Sequence, residues 1–176
     1  GNSMKLFIFI ASILLFAVGT GVAMAQASSN EQKKWPVLPE KQRTAVIFIE
    51  FQAEWLAEDG LLYKNLVNDK ARQRSAVAQA EKVLTAARNN GWTVVHAGLD
   101  MRNDPTYQLF AGGKGVLGLR AAIPSAGTWT GKGADFVAPF VPQKNEFVVS
   151  GRSGASIFRS SNLDSYLRNN KIDTLI

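Results

Sequence analysis

No cysteine occurs anywhere in the 176 residues, and histidine occurs once, as His96. The first absence excludes disulfides, thiolate metal sites and a thiol nucleophile within these residues. The second excludes a multi-histidine metal centre, and no metal or other cofactor is expected. Charge of one sign is not concentrated either. The net charge of +6 comes from 20 Lys and Arg against 14 Asp and Glu, interspersed along the chain. Without a basic block or a basic-aromatic stripe, nucleic acid is not an expected partner. A P-loop is missing too, because Lys114 is followed by glycine rather than serine or threonine. The chain has no internal repeat and no low-complexity tract.

The N-terminus carries a different signal. Residues 1–4 read as a cloning scar, followed by Lys5, an apolar run over residues 6–18, and the small-residue stretch Val22-Ala23-Met24-Ala25-Gln26-Ala27. A basic start, an apolar middle and an Ala-x-Ala end are the parts of a secretory signal peptide, here residues 5–27. The alternative is an uncleaved anchor, since the run approaches the ~20 residues that span a bilayer. The glycines and the cleavage pattern favour removal, which predicts a secreted or periplasmic protein with no membrane contact afterwards. Residues 28–43 are polar, contain Pro36 and Pro39, and suit a linker or arm that Trp35 could tack down.

From residue 44 the pattern changes. Thr44-Ala45-Val46-Ile47-Phe48-Ile49 is continuously apolar, as a strand buried on both faces of a parallel sheet must be. Residues 68–90 are helical in period, with Val77, Ala80, Val83, Leu84 and Ala87 on one face and Gly91 as the stop. A second strand follows over residues 92–97, which makes a crossover unit. Residues 98–142 are rich in glycine, proline and aromatics; irregular segments of that length often build binding sites. A third strand is expected at residues 146–149, a helix beginning at Ser160-Ser161-Asn162 with Leu163, Tyr166 and Leu167 inward, and a fourth strand at residues 172–176. Alternating strands and helices predict an α/β fold, a three-layer α/β/α sandwich around a parallel Rossmann-like sheet.

Four ordered segments carry a resemblance. They are Ala45-Val46-Ile47-Phe48-Ile49-Glu50-Phe51-Gln52; Ile123-Pro124-Ser125-Ala126-Gly127-Thr128-Trp129; Phe147-Val148-Val149-Ser150-Gly151-Arg152-Ser153-Gly154; and Ile172-Asp173-Thr174-Leu175-Ile176. Together the chain from residue 44 to 176 resembles the isochorismatase-like (cysteine hydrolase) superfamily, C-terminally incomplete and with the last strands missing. The resemblance implies a strand-end aspartate as acid/base residue, a lysine after the third strand, and a cysteine past the fourth. Glu50 takes the aspartate's position and Arg152 the lysine's, while the cysteine is absent. A carboxylate that removes the thiol proton and a cation that orients it are what such chemistry requires. Arginine stays charged, so Arg152 can orient but scarcely exchange a proton.

Around these two, Gln52 and Trp55 are expected at the pocket mouth, Trp129 in the loop over the site, and His96 at the end of the second strand facing the pocket. Each has a plain structural alternative: packing for the tryptophans, a satisfied core position for His96, a salt bridge for Glu50. The run Gly113-Lys114-Gly115-Val116-Leu117-Gly118 fits G-x-G-x-x-G, but no strand precedes it and Pro124 leaves no room for a helix, so it reads as a loop. The resemblance implies hydrolysis of a small amide, with a small-molecule substrate and the nucleophile absent from this chain. Two alternatives remain open: a cysteine-independent vinyl-ether hydrolase with Glu50 as general acid, and a non-catalytic ligand- or partner-binding relative. If the family's last strands are missing, the fourth strand becomes an exposed apolar edge, and a homo-oligomer is expected.

Overall fold

Strand β1 (Thr44–Ile49) is apolar on both sides because both sides are covered. It pairs in parallel with β2 (Thr93–Ala97), in register from Ala45 opposite Thr93 to Ile49 opposite Ala97. Outside β2 lies β3 (Phe147–Val148), and on the other side of β1 lies β4 (Thr174–Leu175). The sheet order is therefore β3-β2-β1-β4, with every pairing parallel. This computed structural model describes residues 39–109 and 127–176, all within the unit Val37–Ile176. The residues expected to form a cloning scar and a signal segment, together with Trp35, the 113–118 glycine run and residues 123–126, lie outside the described residues.

Alternation along the strands divides the core. Ala45 and Ile47 of β1 join Val95 and Ala97 of β2 on one face, against Leu163 and Leu167 of the helix Leu163–Asn169. Val46, Phe48 and Val94 face the other way, against Leu84 and Ala87 of the helix Lys70–Asn89. The expected helix–sheet–helix layering is what these two faces form. The long helix begins at Asp69, whose carboxylate accepts from the Arg72 N–H at 2.9 Å, and ends before Gly91 in the left-handed region (φ 64°). Two short helices escaped the sequence: α1 (Ala53–Leu56) and α2 (Leu61–Leu66). Neither is long enough to display a 3.6-residue period. The long helix is accordingly α3 and the last one α4.

Boundaries moved as well. β3 and β4 are shorter than the apolar runs that foretold them, and Val83, expected inward, is 48% exposed. Leu84 and Ala87 set the buried stripe of α3, and Val83, one position back, turns about 100° away from Leu84. β4 forms an edge of the sheet, where Leu175 and Ile176 are 42% and 59% exposed. Among the described residues no helix is long and apolar enough to cross a membrane. Leu84→Ala is expected to cost about 2–5 kcal/mol by cavity formation. Val83→Ala should cost under about 1 kcal/mol, a contrast that urea unfolding of the two variants reads directly.

Candidate active site

At the C-terminal end of β1 the chain must turn, and it does so at Glu50, which adopts a left-handed backbone (φ 62°) although it is not glycine. Its N–H still donates to the Ala97 carbonyl at 3.0 Å, so the β1–β2 ladder runs one residue further while the side chain leaves the sheet. Arg152 comes from beyond β3. Gly151 precedes it at φ 76°, and a Cβ there would sit 2.9 Å from the Ser160 carbonyl oxygen, so glycine is required at that turn. The Arg152 Nη2 donates to Glu50 Oε1 at 2.5 Å. The cation's side chain is 2% exposed and the carboxylate's 22%.

The remaining bonds explain the pair's rigidity. Arg152 Nε donates to the Gly154 carbonyl (2.9 Å), Nη2 also to Ala155 (2.8 Å), and Nη1 to Ala97 (3.4 Å). Four of the five guanidinium N–H groups thus have acceptors among the described residues. Trp55, on α1, donates its indole N–H to Glu50 Oε2 at 2.8 Å. Each carboxylate oxygen therefore accepts one charge-assisted or indole bond and keeps a lone pair. Sequence reasoning placed Trp55 at the pocket mouth; the structure places it on the acidic group itself.

Two clefts flank this pair. The larger, about 700 Å³, lies outside the ends of β2 and β3 and is lined by Gln52, Leu99, Asp100, Phe136, Val149 and Arg152 among others. The smaller, about 330 Å³, is mostly apolar and holds Glu50, Trp55, Ile49 and Val77. Arg152 faces the first and Glu50 the second. The position, past the carboxyl ends of parallel strands, is where open α/β sheets bind ligands. Among the described residues no group of three or more His, Asp or Glu could hold a metal ion.

Gln52 lines the larger cleft, but its amide is committed to the backbone. Nε2 donates to Leu99 O (2.8 Å) and Ala134 O (2.5 Å), and Oε1 accepts from Leu99 N (2.8 Å). A Cβ on residue 98 would lie 2.6 Å from that amide nitrogen, so Gly98 is part of the same joint. Gln52 lines the cleft as expected, and through these bonds it also braces three loops of the site. Trp129, expected in the loop over the site, is 2% exposed in a core cluster with Leu62, Leu99 and Tyr107 and lines neither cleft.

Two buried acids were missed. Glu54, on α1, accepts from the backbone N–H groups of Leu61 (2.6 Å), Leu62 (3.2 Å) and Trp129 (2.9 Å). It caps α2, whose N-cap residue Gly60 has no side chain to do so. That missing local cap was the available signal. Glu146 accepts from Arg88 Nε (2.7 Å) and Nη2 (2.9 Å), from Gln143 N (2.9 Å), and bonds His96 Nε2 (2.7 Å). His96 is wholly buried on the α3 face, stacked on Phe48 at 6.0 Å, and lines neither cleft. Its expected role in substrate binding is therefore corrected: strand alternation turns it to the face opposite Val95 and Ala97.

The family model of the isochorismatase domain matches residues 44–176, and the chain belongs to that family, within the isochorismatase-like hydrolase superfamily. No curated protein matches. Solved structures that it resembles include a cysteine hydrolase from Pseudomonas syringae pv. phaseolicola 1448A: 23% identity, 81% of this chain and 60% of that one, TM-score 0.57. Another is an isochorismatase family protein from Desulfovibrio vulgaris subsp. vulgaris str. Hildenborough: 22% identity, 76% and 64% covered, TM-score 0.53. A third is the N-carbamoylsarcosine amidase of Thermoplasma acidophilum: 20% identity, 76% and 65% covered, TM-score 0.50. The likeness is one of fold, and the chain spans 60–65% of the length of these three.

Gln52→Leu is expected to destabilise the fold by about 2–4 kcal/mol, because it strands one N–H and two carbonyls in the interior. Chemical denaturation measures it. Acid is expected to act through the second cluster. Burial pushes the Glu146 carboxyl up, but the bonds from Arg88, Gln143 and His96 outweigh it and hold the group at about 2, against 4.5 ordinarily. Burial lowers His96 below its usual 6.5, against the pull of Glu146. Both folded values are depressed, so both contribute stability that is present above the unfolded value and lost on acidification. The His96 part fades below pH 6.5 and the Glu146 part between pH 4.5 and about 2, the latter on the order of 3 kcal/mol. Thermal midpoints across that range should fall, and Glu146→Gln should flatten the lower limb.

Proposed function

We propose that this chain is the larger part of a hydrolase that cleaves the C–N bond of a small amide, with Glu50 as general base. The observation that carries this reading is the Glu50–Arg152 contact, 2.5 Å at the carboxyl edge of the sheet, between two clefts. Family membership supports it, as does the amidase among the structures of similar fold. Glu50 takes the proton of an attacking thiol, the thiolate adds to the amide carbon, and the amine leaves with a proton. Water then releases the acid from the thioester. Arg152 fixes the carboxylate's direction and holds its own place through three carbonyls.

No thiol exists in these 176 residues, so on this reading the nucleophile comes from sequence outside them. The shares of the matched structures that the chain spans agree with that. Both oxygens of Glu50 accept N–H bonds. An acceptor so arranged suits a base better than the proton donor that a vinyl-ether hydrolase needs. Residues 5–27 fit export to the periplasm, which would make the substrate an extracytoplasmic amide.

The test uses the protein with the coding sequence that follows the Ile176 codon, assayed for ammonia release from small amides. Glu50→Gln should lower kcat by about 10²–10⁴-fold with KM nearly unchanged. The 176-residue chain should release none. Amide hydrolysis by the 176-residue chain at the same rate would overturn the thiol reading, and an unaffected Glu50→Gln variant would overturn the base.

A further inference from the structure

Glu50 serves as a base only if its carboxylate faces the proton it takes, and a glutamate side chain does not fix that by itself. Its last torsion, between sp³ and sp² carbons, is broad and two-fold, so one bond from Arg152 leaves the second oxygen free to swing. Three points hold the residue instead. The Glu50 N–H donates to the Ala97 carbonyl, Arg152 Nη2 donates to Oε1, and the Trp55 indole N–H donates to Oε2 at 2.8 Å. The two side-chain donors come from different elements, the loop after β3 and α1, and bind different oxygens. Together they fix the plane of the carboxylate.

An indole can do this only if it is itself held, and α1 is a single turn, too short to persist alone. Other segments hold it. The Ala53 N–H donates to the Asp135 carbonyl at 2.8 Å, and Glu54 accepts from the N–H groups of Leu61, Leu62 and Trp129. From α3, Gln73 Nε2 donates to the Trp55 carbonyl at 2.6 Å. Only the amide nitrogen can face that carbonyl, which leaves the buried Gln73 Oε1 without a donor among the described residues. A bond left unmade costs stability, and the arrangement that bears this cost is the one that places Trp55.

Packing does not account for the indole nitrogen. The Trp55 ring is partly buried against the cluster of Leu62, Leu99 and Met101, and a phenylalanine ring would keep most of that contact. What phenylalanine lacks is the N–H, and that group binds the carboxylate on which the proposed reaction depends. Glu50 and Trp55 both line the smaller cleft, so the bond lies at a surface open to a reacting group.

We infer that Trp55 is the positioning residue of the general base: its N–H holds the Glu50 carboxylate in the orientation that accepts a proton, and it acts through Glu50 alone. The inference rests on the amide reading and deepens it by adding a residue to that site.

The test has two arms. In the isotope-labelled 176-residue chain the four tryptophans give four indole N–H resonances, and Trp55→Phe identifies the one that belongs to Trp55. That resonance should lie downfield, exchange slowly with solvent, and move upfield in Glu50→Gln, where a neutral acceptor replaces a charged one. The second arm is kinetic, in the protein with the coding sequence that follows the Ile176 codon. Trp55→Phe should lower kcat for amide hydrolysis by about 10-fold with KM within about 2-fold. In the Glu50→Gln background the same substitution should change kcat by less than about 2-fold, because no base is left to orient. A merely structural role would lower kcat in both backgrounds. An equal loss in both, no loss in either, or a Trp55 resonance indifferent to Glu50→Gln overturns the inference, while amide hydrolysis by the longer protein keeps the amide reading in place. If the longer protein hydrolyses no amide and the Trp55 resonance still responds to Glu50→Gln, the amide reading falls and the positioning of Glu50 by Trp55 stands.

Discussion

A carboxylate at the end of a doubly buried strand has to find a cation close by, and Arg152 supplies it from 102 residues away in the sequence. Much of the site follows from satisfying that one pair. The guanidinium is too buried to be left with bare N–H groups, so the loop after β3 folds back to offer the Gly154 and Ala155 carbonyls. The left-handed turn at Glu50 is costly for a residue with a side chain, by about 1–2 kcal/mol. The ion pair and the Trp55 bond offset it. Because the Ala97 carbonyl accepts from both Glu50 N–H and Arg152 Nη1, the ends of β1, β2 and β3 are tied at one atom.

The fold was legible to the extent that apolar period and crossover order decide it. β1, α3, β2 and the helix after Asn162 all lie where their patterns placed them, because each buries a full face against a neighbour. What periodicity cannot show is a helix of one turn: α1 and α2 are held by Glu54 and by the site loops rather than by an apolar stripe. Val83 was misread for a related reason, since a five-residue apolar set on a helix spans more arc than one sheet face can cover.

The pairing of Glu50 with Arg152 was readable only through the family resemblance, because nothing local couples residues so far apart. The positions assigned to substrate divide into two kinds. Two lie past the end of β1 and line a cleft, and two are buried away from both clefts. Gln52 and Trp55 belong to the first kind and His96 and Trp129 to the second. Buried polar networks such as Arg88–Glu146–His96 were invisible because their members are scattered over α3, β2 and the loop into β3.

Glu54 grips the backbone of Trp129, and beside it the Met101 N–H donates to the Trp129 carbonyl at 2.9 Å. The two ends of the excursion between residues 101 and 129 are thus stapled to each other and to α1. The entropy of closing a loop grows only slowly with its length once its base is pinned. A change of length between those posts therefore costs little in closure entropy. Tyr107 is the exception within the stretch: it is buried in the core cluster beside Trp129, so a change there reaches the scaffold itself.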